Sequence, residues 1–362
     1  MLPINPSELK SDGLTLLRDL ELPMLSMSQT TKLIKARAFI AELNGYCVAL
    51  PNPLLVLSPS VIKESLASSE IENIQTTLVD ALKNALFPSL EQRQPDKEVL
   101  RYKEAIMWGY KQIKDGLPIV SRIITGVQGE LIPSSKLQYR TNQNVIWNPS
   151  TKEILLVSPK TTDLPELIKD WEIFVNKNHE NLDPLIKIAI AHFQFESIHP
   201  FDDGNGRTGR ILMVLDLIQS QLLELPVLYL SGYIAKNKSR YYEGLQSVRK
   251  TKNWDFYLDF MLDVFLEQAI ETKKVFIEII GLFQKQKVDL KNRLPKIYSR
   301  ELLEAIFISP VLTPISLGKN LGIHYTTASR YLKQLESLGI LFNQKLGKNQ
   351  FYTNIELIKI LS

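Results

Sequence analysis

The stretch HPFDDGNGRTGR, residues 199–210, constrains this chain more than any other feature. Apolar residues recur every three or four positions from Asp183 to Ile198 and again from Arg210 to Leu223, which predicts a helix on each side. The stretch is then a loop that ends at a helix N-terminus, where free N–H groups and the helix dipole favour an anion. Gly204 and Gly206 let the backbone approach a phosphate without side-chain clashes. The sequence therefore predicts an anion-binding loop between two helices.

Four side chains of this loop carry reactive chemistry. Arg207 and Arg210 lie three residues apart at the start of the second helix, so both can grip phosphate oxygens. Asp203 offers the hard oxygen with which Mg²⁺ bridges a carboxylate and a polyphosphate. His199 can accept a hydroxyl proton near neutral pH, because the ordinary pKa of histidine is about 6.5. Together they predict phosphate transfer from a nucleotide.

Two other interpretations of the loop are weaker. The run GNGRTG fits the GxGxxG pattern of dinucleotide-binding folds, but that pattern follows a strand and here a predicted helix precedes it. A purely structural turn would not need two glycines, two arginines, an acid and a histidine within twelve residues. Phe201 is expected to be a core residue that anchors the loop.

The rest of the chain has a mainly helical pattern. Helical periodicity also covers Val61 to Leu86, Asn253 to Phe265 and Thr272 to Phe283. Between Leu131 and Val157, two extended runs flank the turn NPSTK and predict a β-hairpin. The charged segment 289–300, which a proline interrupts, predicts a linker. The fold class is therefore mainly α with one hairpin.

The C-terminal segment 285–362 carries the basic character of the chain. It holds 12 Lys and Arg against 5 Asp and Glu, a net charge of +7, whereas the first 284 residues carry −3. Its pattern of helix, helix, turn at Gly322, recognition helix from Tyr325 to Leu338 and two short strands resembles a winged helix-turn-helix. Such a module contacts DNA or docks a protein, and the sequence leaves both open. The residues that could face DNA are Thr326, Thr327, Ser329, Arg330, Lys333, Lys345 and Lys348.

Three single residues have structural interpretations. Cys47 stands alone, so it predicts a buried thiol and no internal disulfide. His192, on a strongly apolar helix, is interpreted as a packed, hydrogen-bonded histidine rather than a zinc ligand, and His324 as a cap of the recognition helix.

No apolar run approaches the roughly 20 residues of a spanning helix, and the N-terminus lacks a signal-peptide pattern, which predicts a cytoplasmic protein without membrane contact.

The loop resembles the signature of the Fic family, His-x-Phe-x-acid-Gly-Asn-Gly-Arg-x-x-Arg, at every fixed position. Further segments resemble the same family: YRTNQNVIW, DPLIKIAIAHFQFESI, PVLYLSGYI and NKSRYYEGL, so that the resemblance covers roughly residues 35–270. It implies a Fic-type helical bundle with a hairpin flap. The domains would be an N-terminal helical region at 1–100 with an inhibitory motif, a catalytic core at 101–284 and the winged helix at 285–362.

Fic enzymes characteristically transfer AMP from ATP to a hydroxyl of a protein. The resemblance implies that His199 deprotonates a Ser, Thr or Tyr of the target protein and that Asp203 holds Mg²⁺ on the α- and β-phosphates. Arg207 would contact the β-phosphate and Arg210 the γ-phosphate. The nucleotide-binding residues implied in this way are Asp203, Gly204, Asn205, Gly206, Arg207, Thr208, Gly209, Arg210, Asn237, Tyr241 and Tyr242.

The two tyrosines have an alternative explanation, and one segment departs from the family pattern. Helix packing explains Tyr241 and Tyr242 equally well. A lysine replaces Gly206 in the Doc-type kinases of the superfamily, so this glycine favours AMP transfer. The hairpin around 139–146 resembles the flap that clamps a target segment by strand addition, but 134–136 reads Ser-Ser-Lys where many relatives have a glycine.

The run SSEIEN, residues 68–73, resembles the inhibitory helix motif of the family. A Glu72 carboxylate beside Arg210 would pair with the guanidinium that otherwise grips the γ-phosphate. The alternative is a capping box of Ser69 and Glu72 at a helix start. We therefore expect an autoinhibited protein adenylyltransferase that also labels itself, and a homodimer is possible. An AMP-removing hydrolase and a DNA-binding regulator with a nucleotide-sensing Fic domain are the alternatives.

Overall fold

A computed structural model describes residues 9–11, 13–50, 52–86, 93–135, 137–147, 152–346 and 349–361. The fold is mainly helical, as predicted, with one two-stranded hairpin and a small C-terminal sheet. The helices of the first two thirds are α1 (Met27–Ala49), α2 (Leu54–Ile71), α3 (Leu78–Leu86), α4 (Gln94–Lys114), α5 (Ser121–Leu131), α6 (Leu164–Asn176), α7 (Pro184–Ile198), α8 (Asn205–Gln219), α9 (Ser231–Lys236) and α10 (Lys238–Thr251).

The predicted helical run from Val61 to Leu86 is wrong as one helix, because α2 ends at Ile71 and α3 begins at Leu78. Asn73 adopts a φ of 62°, a left-handed conformation that a helix does not continue and that asparagine tolerates. The break exposes the end of α2, and this end points into the site described below.

The hairpin is present but shorter than predicted. Strand β1 (Val145–Trp147) pairs antiparallel with β2 (Ile154–Val157), and Val145 lies opposite Val157. Residues 137–144 are not a strand: the N–H of Arg140 donates to the carbonyl of Pro200 at 2.9 Å, so the backbone at this position bonds to the loop and not to a partner strand. The turn at 148–151 and Lys136 lie outside the described residues.

The two helices predicted at 253–265 and 272–283 form one helix, α11 (Asp255–Arg293). The predicted linker at 289–300 is therefore wrong over its first half. No proline interrupts the sequence between the two runs, and Gln286 and Leu290 are buried, so helical packing continues to Arg293. Only residues 294–299 separate α11 from the next helix.

The C-terminal segment contains α12 (Arg300–Ile308), β3 (Val311–Leu312), α13 (Pro314–Leu321), α14 (Tyr325–Ser337), β4 (Phe342–Leu346), β5 (Asn349–Thr353) and α15 (Ile355–Leu361). The strand order is β3-β5-β4, which with α13 and α14 is the arrangement predicted for a winged helix-turn-helix. Gly322 ends α13 with a φ of 64°, and the side chain of His324 caps α14, as predicted. Gly347 and Lys348 lie outside the described residues.

The apolar core has two clusters. The larger one fills the helical body around α7 and α8, where Phe195, Phe201 and Ile211 are buried, and it includes the buried thiol of Cys47. The smaller cluster holds the C-terminal segment against α2 and the end of α11. In the described part of the chain, no helix has the length and apolar character that crossing a membrane requires.

Candidate functional site

The loop at 199–204 is fixed by its own side chains. His199 ends α7 in a left-handed conformation, with a φ of 50°, and Gly204 begins α8 with a φ of 81°. The side chain of Asn205 accepts from the N–H of Phe201 at 2.8 Å and donates to the carbonyl of Phe201 at 2.7 Å. Phe201 is buried against the ring of Tyr139, so it is the anchor that the sequence predicted. Asn205 therefore shapes the loop, because both polar atoms of its side chain are engaged there.

Arg140 clamps the loop to the hairpin. Its Nε donates to the carbonyl of His199 at 2.9 Å, and its Nη atoms donate to the carbonyls of Asn142 and Pro159 at 2.7 and 2.6 Å. The Arg140 N–H donates to the carbonyl of Pro200 at 2.9 Å. Burial lowers the pKa of this arginine, which is 3% exposed. The sequence interpretation assigned no role to Arg140, since His199, its partner in the loop, lies 59 residues away in the chain.

The imidazole of His199 lies in a half-buried position at the end of α7. Burial, assisted by the nearby Arg249 guanidinium, lowers the pKa of His199 to about 4. The ring is therefore neutral across physiological pH and can accept a proton. Its Nδ1 is buried without a hydrogen-bond partner among the described residues.

Asp203 lies at the surface of the loop, with 74% of its side chain exposed. One carboxylate oxygen accepts from the Gly204 N–H at 2.6 Å and lies 3.5 Å from Arg207 Nη2. An exposed hard oxygen beside an anion-binding loop fits Mg²⁺, which takes one or two carboxylates and completes its shell with phosphate and water. Within the described ranges, no group of three or more His, Cys, Asp or Glu is placed to hold a metal. The Asp203 carboxylate is thus of the kind that fits this metal, and its role as a ligand stays a prediction.

Arg210 is held by the end of α2. Its Nε donates to Ser68 Oγ at 2.7 Å, and its Nη2 donates to the Ser68 carbonyl at 3.0 Å and to Glu72 Oε1 at 2.8 Å. The arginine is 1% exposed. Burial works to raise the pKa of Glu72, but the charge of Arg210 holds it below its ordinary value. The predicted pairing of Glu72 with Arg210 is thus present in the structure.

The capping-box alternative for Ser69 and Glu72 is wrong. A capping box lies at the start of a helix, whereas Glu72 directly follows the last residue of α2. Gly206 provides the space for this carboxylate: a Cβ there would lie 2.5 Å from Glu72 Oε1 and 3.0 Å from Arg210 Nη1. A side chain at position 206 would therefore collide with the ion pair.

A second carboxylate occupies the other arginine. Arg207 Nη1 donates to Glu98 Oε2 of α4 at 2.7 Å, and Arg207 is 5% exposed. The sequence interpretation missed Glu98, which lies 109 residues before its partner and belongs to no recognised motif. Both arginines of the loop are thus paired with carboxylates from the N-terminal helices.

Thr208, Gly209 and Asn237 were also predicted to bind the nucleotide, and none of them is exposed. Thr208 is fully buried, and a Cβ at Gly209 would lie 2.7 Å from Glu196 Oε1, so both positions face the packing of α8 on α7. Asn237 joins α9 to α10 and donates to the Tyr233 carbonyl at 2.9 Å.

The two tyrosines differ in exposure. Tyr241 is buried, and its hydroxyl lies 2.8 Å from His192 Nε2, which makes His192 the packed, hydrogen-bonded histidine that the sequence predicted. Helix packing therefore accounts for Tyr241. The ring of Tyr242 is 40% exposed, so a nucleoside contact at Tyr242 stays a prediction.

The sequence interpretation also missed a buried acid behind Arg210. Burial raises the pKa of Glu196 to about 7. The charges of Arg210 and Arg249 oppose this shift, and the charge of Glu72 adds to it. Glu196 Oε1 has no hydrogen-bond partner among the described residues. A carboxyl group whose pKa lies well above its ordinary value is thus buried between α7 and α8.

Family models match three stretches of the chain. Residues 30–111 match the Fic/DOC family N-terminal region, and residues 118–217, which include the loop, match the Fic/DOC family. Residues 282–357 match the C-terminal domain of the SoFic-like protein adenylyltransferases.

Curated relatives and solved structures are similar to parts of the chain. The protein adenylyltransferase Fic of Drosophila yakuba is 35% identical over 102 residues, and that of Drosophila mojavensis is 33% identical over 105 residues. The first match spans 28% of this chain and 18% of the fly protein, and the second spans 29% and 19%.

Two solved structures share the fold. One is a Fic family protein from Desulfovibrio desulfuricans, with a TM-score of 0.58, 19% identity and coverage of 92% of this chain and 98% of that one. The other is the segment 134–508 of Fic-1 from C. elegans, with a TM-score of 0.53, 20% identity and coverage of 72% and 76%.

Proposed function

We propose, because this chain belongs to the Fic/DOC family, that it is an autoinhibited protein adenylyltransferase. It transfers AMP from ATP to a Ser, Thr or Tyr hydroxyl of a target protein in the cytoplasm. One observation carries this proposal: a neutral imidazole, an exposed carboxylate and two arginines converge on one loop at the start of α8. The similarity to adenylyltransferases, over a small part of their length, supports the reaction class.

The transfer uses groups that the loop already holds. The imidazole of His199 accepts the proton of the target hydroxyl, and the hydroxyl oxygen attacks the α-phosphorus of ATP. The bond from the α-phosphorus to its bridging oxygen breaks, pyrophosphate leaves, and AMP stays on the protein. The N-terminus of α8 and the two arginines stabilise the phosphate charge. Mg²⁺, held by Asp203, would neutralise charge on the α- and β-phosphates when bound.

The ion pairs at the loop support autoinhibition. Arg210 donates hydrogen bonds to Ser68 and Glu72, and Arg207 donates one to Glu98. A phosphate can bond to these guanidinium groups only after the carboxylates have moved away. The chain is therefore inactive in this conformation, and displacement of the end of α2 activates it.

Self-labelling with radioactive ATP and Mg²⁺ tests this proposal. Glu72→Gly frees Arg210 and should raise AMP incorporation at least tenfold, whereas Glu72→Gly combined with His199→Ala should incorporate none. Glu70→Gly is the matched control, since Glu70 is an exposed glutamate of the same helix end and makes no ion pair among the described residues. Equal labelling of the wild type, Glu70→Gly and Glu72→Gly would contradict autoinhibition. Loss of AMP from labelled protein that requires Glu72 would indicate the hydrolase instead.

We also propose that the C-terminal domain contacts DNA through α14. Thr326, Arg330 and Lys333 are exposed and follow one another at helical spacing, so they form one polar stripe on this helix. Phosphate contacts of such residues weaken as the salt concentration rises. An electrophoretic shift of duplex DNA by the wild type should fall with salt and with Arg330→Glu/Lys333→Glu, but not with Lys359→Glu on α15. No shift at low salt would favour protein docking.

A further inference from the structure

A cavity of about 320 Å³ lies where the N-terminal helices, α11 and the C-terminal domain meet. Its apolar wall is formed by Leu55 of α2, Ile279 and Phe283 of α11 and Leu303 of α12. Sites for small molecules have this size, this mostly apolar lining and this position between domains. The cavity is separate from the loop at 199–210, none of whose residues lines it.

The polar side of the same cavity is cationic. Lys287, Lys291 and Arg300 line it together with a single acid, Glu304. This acid is already engaged, because Glu304 Oε1 accepts from Arg300 Nε at 2.6 Å and Glu304 Oε2 accepts from Asn52 Nδ2 at 2.6 Å. Neither lysine forms an ion pair within the described part of the chain. Lys291 Nζ lies 5.3 Å from the centre of the Tyr298 ring, which also lines the cavity, so its contact there is with an aromatic face and not with a carboxylate. Two cations without a carboxylate partner beside an apolar wall complement an amphipathic anion.

We propose that this cavity binds a small amphipathic anion, that is, an apolar molecule with one carboxylate or comparable acidic group. The apolar body lies against Leu55, Phe283 and Leu303, and the anionic group is held by Lys287 and Lys291.

The position of the cavity links this ligand to the site. Leu55 belongs to the first turn of α2, and Glu72 directly follows the last residue of the same helix. The 18 residues of α2 span about 27 Å, and Ser58 Oγ fastens the helix to the carbonyl of Ile308 in α12 at 2.9 Å. The cavity exists in the conformation in which Glu72 holds Arg210. A ligand that prefers this conformation stabilises it, so the anion strengthens inhibition; this consequence rests on the proposed function.

Calorimetric titration of the full chain with decanoate tests the site without reference to AMP transfer. Decanoate should bind the wild type, and Lys287→Glu and Lys291→Glu should each weaken binding at least tenfold. Lys274→Glu is the matched control on α11, because Lys274 is largely exposed and does not line the cavity. Decanol, which has the same chain without the charge, should bind at least tenfold more weakly. Absence of decanoate binding, or equal affinities of the three lysine variants, would overturn the proposal.

Amide hydrogen exchange tests the link to α2. Saturating decanoate should slow exchange at residues 66–73 at least threefold in the wild type and should leave it unchanged in Lys287→Glu. Unchanged exchange in the wild type under saturating decanoate would overturn the link to Glu72. Both measurements can be made even when no variant incorporates AMP. A failure of the proposed reaction is therefore distinguishable from a failure of the cavity to bind the anion.

Discussion

At the scale of single residues, carboxylates from the N-terminal helices bind the two arginines that the proposed function assigns to phosphate. Glu72 and Glu98 each neutralise one buried arginine of the loop. A buried guanidinium that loses its nearest carboxylate is costly, because its charge is then desolvated with less compensation. ATP can replace these carboxylates, since phosphate oxygens bond to arginine in a similar fork geometry. The proposed function therefore implies that the two glutamates compete with ATP for the same two side chains.

The competition predicts a specific response of Glu98→Gln. Without nucleotide this variant should melt several degrees below the wild type, because Arg207 loses the charge of its nearest carboxylate. Addition of ATP and Mg²⁺ should raise its melting temperature more than that of the wild type, since a phosphate then pairs with Arg207. Differential scanning fluorimetry measures both shifts. Glu104→Gln, at an exposed position of the same helix, should behave like the wild type; a nucleotide shift no larger in Glu98→Gln than in this control would contradict the competition.

The pKa of His199 predicts the pH dependence of the reaction. Burial lowers this pKa from its ordinary value to about 4, so the imidazole stays neutral, and competent as a base, down to about pH 5. The rate of Glu72→Gly should therefore be nearly constant from pH 6 to 8 and should fall only as the pH approaches 4. A rate that halves near pH 6.5 would mean that the imidazole titrates as an exposed histidine.

At the scale of elements, the hairpin region holds the loop at 199–204 in place. Arg140 donates to carbonyl oxygens on both sides, including those of His199 and Pro159, and Asn144 Nδ2 donates to the Phe201 carbonyl at 2.8 Å. A lysine has a single ammonium group and cannot reach several diverging carbonyls at once. The hairpin and the loop are therefore one unit held by an arginine.

Arg140→Lys should lower the turnover of Glu72→Gly by about tenfold to a hundredfold, the cost of about one or two buried hydrogen bonds, with little change in KM for ATP. Steady-state labelling at several ATP concentrations separates the two constants. Arg240→Lys, which changes an arginine on α10 outside the loop, is the control. A rise in KM with an unchanged turnover would show that Arg140 serves nucleotide binding instead.

The sequence predicted the elements around the loop because their signals are local. The periodicity on both sides of the loop, the turn at Gly322 and the cap at His324 all depend on residues within a few positions of each other. The errors have non-local or subtle causes. The hairpin is shorter because the backbone N–H of Arg140 bonds to a distant loop, and α11 continues because its end packs on the C-terminal domain. Glu98 and Arg140 were missed for the same reason, since a single sequence does not show which distant residues meet.

At the scale of the whole molecule, α2 joins the parts of the chain. Its first turn belongs to the smaller core with the C-terminal domain, and its end holds Arg210. The homodimer stays a prediction, and light scattering of the wild type tests it. The domain division at 100 and 284 likewise stays a prediction, and α11 crosses the second boundary without a break.

The intact mass of Glu72→Gly after incubation with ATP and Mg²⁺ tests the central claim most directly. The predicted result is a gain of one or more AMP groups, absent from the wild type at the same time point and from the variant that also carries His199→Ala. An unchanged mass of Glu72→Gly, in a sample that folds and binds ATP, would contradict AMP transfer by this loop.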